Sequence, residues 1–465
     1  MAGPYPVPNA TVPYWRTELH ELDSHRSTPE LPERQDIVIV GAGFAGAALA
    51  HYLLKDNTMG QPSITILEAR EACSGATGRN GGHLRPDLFV SVASRMQTHG
   101  IETANEVALF EVANAKAVAD LVLEENIACD LQPVTTADTF VDPGEAAKIT
   151  KLWDAMTKLD CPTLKDVTYH GPADAERVTG AKGARAAFTF PAYTLWPYKL
   201  VMHLLAGVVR QGVNLQTHTP VHEVSETADE EGYWTLATPR GTIQAKTVVF
   251  ATNGYTGGLL PEYDDAIYAA RASVARIVPS SSSSQQLDLP LGSCAIEMRS
   301  PASVDCYYGL RPDGSLIVGG ARSTYADQSR EAWYRNFDDS TLIEPAVPYF
   351  ETWPGETFGA WEGVPVTRDC VWTGIMGYSA DNAPHVGHVP SKPGLYICAG
   401  FHGHGMPNVL LCAKGLAKMI KTDCAFAETG VPACYETSAA RLRRASEQVA
   451  APAAGRARAD IYLKY

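Results

Sequence analysis

The sequence predicts an α/β protein in which a Rossmann-like dinucleotide-binding domain is joined to a second, strand-rich domain of the α+β class. An apolar strand, a glycine-rich turn, a helix and a second strand follow one another over residues 36–68. Strand-like sequence with many turns fills residues 262–367, and further nucleotide-binding signals lie near the middle and the end of the chain. The strand-rich domain is therefore expected to be formed by insertions.

The first unit is predicted from its hydrophobic pattern. Asp36–Val40 is a continuous apolar strand of the kind that is buried in a parallel sheet. A helix is predicted over Ala47–Lys55, and Ser63–Leu67 is the second strand. Strand, helix and strand within about 30 residues are the βαβ unit that binds dinucleotides.

The turn between strand and helix has the glycine spacing of a dinucleotide site. Gly41 permits the tight turn, Gly43 lets the backbone approach a pyrophosphate, and Gly46 lets the helix pack closely on the strand. The N-terminus of the helix then offers free N–H groups to the phosphates. Glu68 ends the second strand, where a carboxylate accepts hydrogen bonds from the ribose hydroxyls.

The segment after Glu68 is glycine-dense and polar, reading SGATGRNGGH over residues 74–83. Such a loop can place successive N–H groups and a hydroxyl against a second phosphate, which favours FAD over NAD. A flexible surface loop is the other interpretation.

The rest of the chain is predicted more coarsely. A long helical stretch covers residues 92–160, a helix leads into a strand that ends at Val221, an apolar strand lies at 247–252, and a glycine-rich segment precedes a helix near 407–420. The predicted domains are 1–95, 170–261 and 368–435 for the dinucleotide domain, 96–169 and 262–367 for the second domain, and 436–465 for a C-terminal helix and tail.

Composition excludes several partner classes. A net charge of −14 argues against nucleic acid and against an anionic membrane surface. No apolar run of about 18 residues is present. The first 35 residues lack the apolar centre of a signal peptide, so the cytoplasm is the expected location. The ten cysteines contain no Cys-x-x-Cys pair, which predicts reduced thiols and no metal site.

Three stretches together resemble the D-amino-acid-oxidase-like superfamily of FAD-dependent oxidoreductases, in its glycine/sarcosine oxidase-like and gamma-glutamylputrescine oxidase-like branch. They are GAGFAG at 41–46 with SGATGRNGGH at 74–83, TVVFATNGY at 247–255, and WTGIMGYSADNAPHVG at 372–387 with GLYICAGFHGHGM at 394–406. This likeness is spread over most of the chain.

The resemblance implies bound FAD and a set of residues that hold it. A valine at position 221 would pair with the adenine edge, and the loop before the last helix would present N–H groups to the flavin. The set is Gly41, Gly43, Phe44, Ala45, Gly46, Glu68, Ala69, Arg70, Ser74, Gly75, Ala76, Thr77, Arg79, Asn80, Gly81, Gly82, His83, Val221, Ala251, Thr252, Asn253, Gly254, Asp381, Gly400, Gly403, His404, Gly405 and Met406.

Two departures from the family bear on how FAD is attached. The sarcosine-oxidase branch has a linking cysteine seven residues before the aspartate that matches Asp381, and that position is Gly374 here. Cys370 lies four residues earlier. A related dehydrogenase branch links FAD through a histidine whose matching position is Arg79. We therefore predict non-covalent FAD.

The resemblance also implies the reaction: oxidation of the C–N bond of a small amine or amino acid to an imine, with O₂ as the expected acceptor of the electrons. The alternatives are an FAD-dependent monooxygenase of secondary metabolism and a non-catalytic flavin-binding protein. Candidates for the substrate face are Arg271, Arg311, Arg322, Tyr307, Tyr308 and His83. An arginine would grip a carboxylate. Adjacent residues of a strand point to opposite faces, so only one of the two tyrosines can face the flavin, and the sequence leaves that choice open.

Overall fold

The computed structural model describes residues 3–55, 60–279, 289–297 and 306–450. The predicted tail beyond Ala450 lies outside the described residues. The described part contains eight α-helices, several 3₁₀ turns and two sheets.

The strands, in chain order, are β1 (Arg34–Val40), β2 (Ile64–Leu67), β3 (His83–Leu84), β4 (Gln132–Phe140), β5 (Thr168–His170), β6 (Ala186–Thr194), β7 (Asn214–Gln216), β8 (Glu223–Val224), β9 (Trp234–Thr238), β10 (Gly241–Phe250), β11 (Ile267–Pro279), β12 (Ser293–Glu297), β13 (Cys306–Leu310), β14 (Leu316–Gly320), β15 (Val366–Ser379), β16 (His385–His388) and β17 (Leu395–Ala399).

The helices are α1 (Phe44–Leu54), α2 (Val90–Glu124), α3 (Pro143–Lys158), α4 (Ala175–Thr179), α5 (Pro197–Arg210), α6 (Ala346–Thr357), α7 (Val409–Thr422) and α8 (Ala439–Ala450). Helix α2 is two helices that meet at a kink at Gly100, which has a φ of 83°. No helix of the described residues is long and apolar enough to cross a bilayer.

The first sheet is the dinucleotide-binding sheet. Its main path runs β16-β17-β10-β1-β2-β7, and the short hairpin β8–β9 is attached to β10. Strands β17, β10, β1, β2 and β7 are parallel. Because strands inside a parallel sheet are covered on both faces, all four residues of β2 are buried, including Thr65. Helices α1, α5 and α7 pack together in the hydrophobic core on one face.

The second sheet is almost entirely antiparallel and runs β15-β11-β14-β13-β12-β4-β6-β3, with β5 attached to β6. One of its faces packs on a second hydrophobic core around Trp353, Phe358 and Trp361, to which α6 contributes. The other face is turned toward the edge of the first sheet where β1 and β10 end. The functional cavity lies between these two surfaces.

The mixed α/β fold with a second, strand-rich sheet confirms the predicted class. Three elements of the structure differ from the prediction. Strand β4 interrupts the stretch predicted as helical, because its residues pair with β6 and β12. Helix α6 lies within the block predicted as strand-rich, and its apolar residues cover the second core. The strand predicted to reach Val221 ends at Gln216, where β2 stops pairing with it.

The predicted domain boundaries stay a proposal. Strand β6 and most of β15 lie in ranges that were assigned to the dinucleotide domain, yet both are hydrogen-bonded within the second sheet. The chain therefore crosses between the two sheets more often than the boundaries imply.

Candidate active site

A cavity with a volume of about 260 Å³ lies between the end of the first sheet and the open face of the second. The β1–α1 turn, the loop after Glu68 and the loop before α7 form its walls on one side. Strands β11, β12, β13 and β15 form the opposite wall. The binding crevice beyond the carboxyl ends of parallel strands is where open α/β sheets bind ligands.

The β1–α1 turn has the geometry that its glycines predict. Gly41 has a φ of +113°, and a Cβ there would lie 2.7 Å from the carbonyl oxygen of Ala251. At Gly46 a Cβ would overlap the carbonyl oxygen of Gly41, so a side chain would push α1 away from β1. At Gly43 a Cβ would meet only the Thr77 hydroxyl, at 3.5 Å. The space beside Gly43 is therefore open to a ligand.

Glu68 stands at the end of β2 and is hydrogen-bonded to the turn. Its Oε2 accepts from the Ala42 N–H at 2.8 Å, and its Oε1 accepts from the Arg70 N–H at 3.0 Å. Each carboxylate oxygen can accept a further hydrogen bond, and Glu68 lines the cavity. The carboxylate thus stabilises the turn and remains able to bind hydroxyls.

The glycine-dense loop is ordered by its own side chains and is not a loose surface loop. The Thr77 hydroxyl accepts from the Phe44 N–H at 3.2 Å, which ties the loop to the first turn of α1. Asn80 donates to the carbonyl of Thr77 and accepts from the Gly82 N–H. Arg79 is buried and donates to the carbonyls of Ser74 and Thr373.

A buried group of charges links this loop to the second sheet. Asp339 is fully buried and accepts two hydrogen bonds from Arg70, at 2.9 and 3.0 Å. Its Oδ2 also lies 3.4 Å from Nε of Arg79. Burial lowers the pKa of Arg79 to about 10 despite the nearby Asp339 carboxylate. Sequence reasoning missed Asp339, because a lone aspartate in an irregular segment carries no motif.

The loop before α7 is held by three polar side chains. Asn253, in the left-handed region at a φ of 44°, accepts from the N–H groups of Gly400 and Phe401 through its side-chain oxygen. Asn114 on α2 donates to the carbonyl of Met406 at 3.1 Å. His404 donates from Nε2 to Glu111 at 2.9 Å. The loop therefore keeps a fixed position beside the cavity.

Glu111 is the fully buried partner of this loop and was not found from the sequence. Burial raises the pKa of its carboxyl, but His404 and Arg95 outweigh burial and hold that pKa below its ordinary value. The carboxylate is thus ionised, and it also accepts from the N–H of Asp87 at 2.7 Å. Its position in a long helix gave no signal, since a helical glutamate is usually exposed.

On the opposite wall, the side chains of Tyr307 and Tyr308 point to opposite faces of the sheet. Tyr307 lines the cavity, and its ring fills the space left by the absent side chains of Gly81 and Gly319. Tyr308 is fully buried in the second core, and its hydroxyl donates to the carbonyl of Leu291 at 3.0 Å. The choice that the sequence left open therefore falls on Tyr307 as the tyrosine that faces the cavity.

His83 packs beside Tyr307 with the two ring centroids 5.3 Å apart. Its Nε2 donates to the carbonyl of Tyr308 at 2.9 Å. Burial lowers the pKa of His83 to about 4, so the imidazole is neutral at physiological pH. The neutral imidazole donates its proton to a carbonyl, so its ring is fixed beside Tyr307. It adds no charge to the cavity.

The three candidate arginines do not line the cavity. Arg271 lies on the face of β11 opposite Ala272 and donates to the Thr341 carbonyl and hydroxyl. Arg311 pairs with Asp130 at 2.7 Å. Arg322 stacks on Trp333, with its guanidinium carbon 4.7 Å from the ring centroid. All three are buried, Arg271 within β11, Arg311 just after β13 and Arg322 in the 3₁₀ turn Arg322–Thr324.

Most of the residues assigned to cofactor binding line the cavity together. Those that line it are Gly41, Gly43, Phe44, Ala45, Glu68, Ala69, Arg70, Gly75, Ala76, Thr77, Arg79, Asn80, Gly81, His83, Val221, Ala251, Thr252, Asn253, Gly403, His404, Gly405 and Met406. Those that do not line it are Gly46, Ser74, Gly82, Gly254, Asp381 and Gly400. Asp381 instead forms two hydrogen bonds with Arg441 of α8, at 2.7 and 2.8 Å.

These observations fit FAD. The open space at Gly43 can receive a pyrophosphate, Glu68 can receive the adenosine ribose, and the loop at Gly403–Met406 faces the strand wall across a gap that a flat ring can fill. The cavity is continuous from Val221 near the first sheet to Tyr307 on the second. An extended dinucleotide matches that path.

Comparisons with known proteins agree with this geometry. A family model described as FAD dependent oxidoreductase matches residues 36–419. The chain is 22% identical over 398 residues to gamma-glutamylputrescine oxidoreductase of Escherichia coli (strain K12), covering 83% of this chain and 84% of the relative. It is 25% identical over 396 residues to the probable oxidoreductase OrdL of Rhizobium meliloti (strain 1021), covering 83% of each chain.

Among solved structures, glycine oxidase from Geobacillus kaustophilus superposes with a TM-score of 0.67 at 17% identity. The match covers 88% of this chain and 99% of that chain. At such low identity the likeness concerns the fold, and it extends over both sheets.

Proposed function

The chain belongs to the family of FAD-dependent oxidoreductases, and from this premise we propose that it oxidises the C–N bond of a small amine or amino acid to an imine. The imine is then hydrolysed by water, and O₂ takes the electrons. The residues that line the cavity are proposed to hold the FAD. The observation that carries the proposal is the gap between the loop at Gly403–Met406 and the wall that contains Tyr307.

In this proposal the substrate lies in the gap. Bound FAD would supply the acceptor for the two electrons that leave the C–N bond. The chain would supply position: Tyr307 and Met376 form the floor against which the substrate lies, and the loop before α7 fixes the opposite side. Holding the reacting carbon in one orientation speeds the reaction, because the bound substrate loses little further translational and rotational entropy on reaching the transition state.

Protonation states favour an amine as donor. The amine must reach the site neutral, since its nitrogen lone pair drives the oxidation. Burial lowers the pKa of His83 to about 4, and burial raises the pKa of Tyr307 well above its ordinary value. Both side chains are therefore uncharged, and a neutral environment favours the neutral form of a bound amine.

The named relatives support the reaction class. One of them is an oxidoreductase of gamma-glutamylputrescine, and a glycine oxidase shares the fold. Both names describe nitrogen compounds that are oxidised. The proposed use of O₂ follows the oxidase among them and needs its own test.

The test is anaerobic mixing of the purified holoenzyme with amino acids, N-methyl amino acids, polyamines and cyclic amines. Bleaching of the visible flavin band by an amine supports the proposal, and readmitted air that restores the band supports O₂ as acceptor. If the whole panel leaves the band unchanged while NADPH bleaches it promptly, the protein is a hydroxylase and the proposal fails.

We further propose that FAD is held without a covalent bond. A Cβ at Gly374 would lie 3.0 Å from the Cβ of Arg79, so the position of the family's linking cysteine is a tight contact with the loop. Cys370 does not line the cavity. Acid precipitation is expected to release all the flavin into the supernatant. Flavin that stays with the protein on a denaturing gel contradicts the proposal, and Cys370→Ser and His83→Asn would then identify the link.

A further inference from the structure

We infer that the preferred substrate is an amine without a carboxylate on the carbon that is oxidised. The inference rests on the proposed function and narrows its substrate class. A carboxylate that leaves water needs a cation or a set of hydrogen-bond donors, and a buried charge without them is strongly unfavourable. The cavity would have to offer such a group beside Tyr307.

The cationic side chains of the cavity are already engaged. Among the lining residues that the structure describes, the arginines are Arg70, Arg79 and Arg85, and no lysine is present. Arg70 and Arg79 point to Asp339, beside the loop that follows Glu68. Neither is therefore a carboxylate anchor for a substrate that lies against Tyr307.

Arg85 lines the cavity on the side of the second sheet, and its guanidinium group already has hydrogen-bond partners. Its Nε donates to the Thr136 hydroxyl at 3.1 Å, and its NH2 donates to Asp138 at 2.6 Å. Its guanidinium carbon lies 4.7 Å from the centre of the Phe190 ring. Both members of the Arg85–Asp138 pair are buried. Releasing Arg85 to a substrate carboxylate would leave Asp138 as an uncompensated buried charge.

Asp138 favours a hydrogen-bond donor over an anion. Strand pairing places it opposite Ala295, which in turn pairs with Tyr307, so the three residues occupy one row of the wall. The Oδ2 of Asp138 is buried and has no hydrogen-bond partner. Arg85 compensates the charge of Asp138, but the free Oδ2 can still accept a hydrogen bond from an N–H group, which a carboxylate cannot supply. The hydrogen bonding of this row thus favours an amine over a carboxylate.

The histidines that line the cavity do not supply a cation for a substrate carboxylate. His83 is neutral and donates its proton to a backbone carbonyl. His404 is tied to the buried Glu111. The surface between them is apolar, formed by Ala272, Val274 and Met376 together with Tyr307. Such a surface packs against the hydrocarbon part of an amine and gives a carboxylate no partner.

The experiment compares amines that differ by one carboxylate. The pairs are pyrrolidine and proline, putrescine and ornithine, and benzylamine and phenylglycine, with both enantiomers of each amino acid. Anaerobic flavin reduction is measured for each at matched concentrations of the neutral amine. The member without a carboxylate is expected to reduce the flavin at least about 30-fold faster in kcat/KM, the factor for one unpaired buried polar group. Equal rates, or faster reduction by the amino acids, overturn the inference.

Benzoate provides a readout that does not depend on turnover. A carboxylate that binds beside the flavin alters its visible spectrum, and no alteration is expected when the holoenzyme is titrated with benzoate. If no amine of any pair reduces the flavin, the wider panel described above decides the proposed function, and the benzoate titration still tests the inference. Saturable perturbation by benzoate then overturns it.

A gain-of-function variant tests the charge argument directly. Met376 is an unbranched, partly buried side chain on the cavity wall, so Met376→Lys places a cation there with little change in volume. The ratio of proline to pyrrolidine turnover is expected to rise at least about 10-fold. Met376→Leu controls for the loss of the methionine, and Leu123→Lys, at a residue 74% exposed on α2, controls for the added charge. An unchanged ratio in Met376→Lys contradicts the argument.

Discussion

The cofactor turn and the strand wall place their functional atoms by different means. In the turn between β1 and α1 a ligand would meet backbone N–H groups, and Gly41 and Gly46 are present because a side chain would overlap the neighbouring backbone. On the wall a ligand would meet side chains, and the direction of each depends on strand pleat and register. Tyr307 and Tyr308 are adjacent in sequence, yet one faces the cavity and the other lies in a core. A backbone site can therefore be recognised from a motif, whereas a strand site cannot.

The largest effect on stability is expected at Asp339, which joins the loop after Glu68 to the second sheet. Asp339→Ala removes the carboxylate that Arg70 and Arg79 share, which leaves two buried guanidinium groups without that partner. The free energy of unfolding is expected to fall by about 3–5 kcal/mol. Urea denaturation of the holoenzyme measures it. The control is Asp369→Ala, which removes an exposed partner of Arg276 and should cost at most about 1 kcal/mol. Similar losses in both variants would mean that the buried group does not join the regions.

A buried histidine of the first sheet is expected to make the folded protein less stable in acid. His385 in β16 is buried against Tyr263 and Thr437, and burial, reinforced by Arg441, lowers its pKa from 6.5 to about 3. The unfolded chain therefore binds a proton between pH 6.5 and 3 that the folded chain does not, so the stability that is present above pH 6.5 is lost as the pH falls.

The loss due to His385 is expected to be on the order of 4 kcal/mol across that window, at about 1.4 kcal/mol per unit. His385→Gln should flatten the pH dependence of the unfolding free energy, while His222→Gln, at an exposed position, should not. A wild-type slope in His385→Gln would show that other groups dominate the acid response.

Two glycines of the turn test whether the backbone carries the site. Gly46→Ala forces α1 away from β1 and is expected to cost up to about 3 kcal/mol, with loss of flavin. Gly43→Val should leave the apoprotein as stable as the wild type but colourless, since its side chain occupies only the ligand's space. Thermal denaturation and flavin absorbance distinguish the two.

The control for both glycines is Gly207→Ala in α5, where a Cβ would meet only the end of Arg210 at 4.0 Å. It should bind flavin fully and be slightly stabilised, because alanine favours the helix. If Gly43→Val purifies yellow with full flavin, the turn does not hold the pyrophosphate.

The smallest effect is expected at the paired tyrosines of the wall. Tyr308→Phe loses one buried hydrogen bond to Leu291, about 1 kcal/mol of stability, and should leave flavin reduction unchanged. Tyr307→Phe should change the rate of flavin reduction by the best amine of the panel. The two variants control for each other. A kinetic defect in Tyr308→Phe alone would reverse the assignment of the faces.

The sequence by itself determined the parts of the molecule that depend on local geometry. The strand, the three glycines and Glu68 predicted the βαβ unit, and the structure has strands β1 and β2 with helix α1 in between. The two further motifs contain the turn at Asn253 and the loop at Gly403–Met406, and in the structure both line the same cavity. These features are encoded locally, because a turn or a helix start needs particular residues at fixed spacing.

Tertiary structure decided what depends on partners far away in the chain. Strand β4 was hidden in a helical pattern because its pairing with β6 and β12 overrides local propensity. Arg271 and Arg322 were plausible anchors as residue types, yet neither lines the cavity: the pleat of β11 directs Arg271 away, and Arg322 packs on Trp333. Asp339 and Glu111 had no signal, since their function exists only once distant residues are packed against them. Side-chain direction and buried charge pairing are properties of the assembled core, and no single segment contains them.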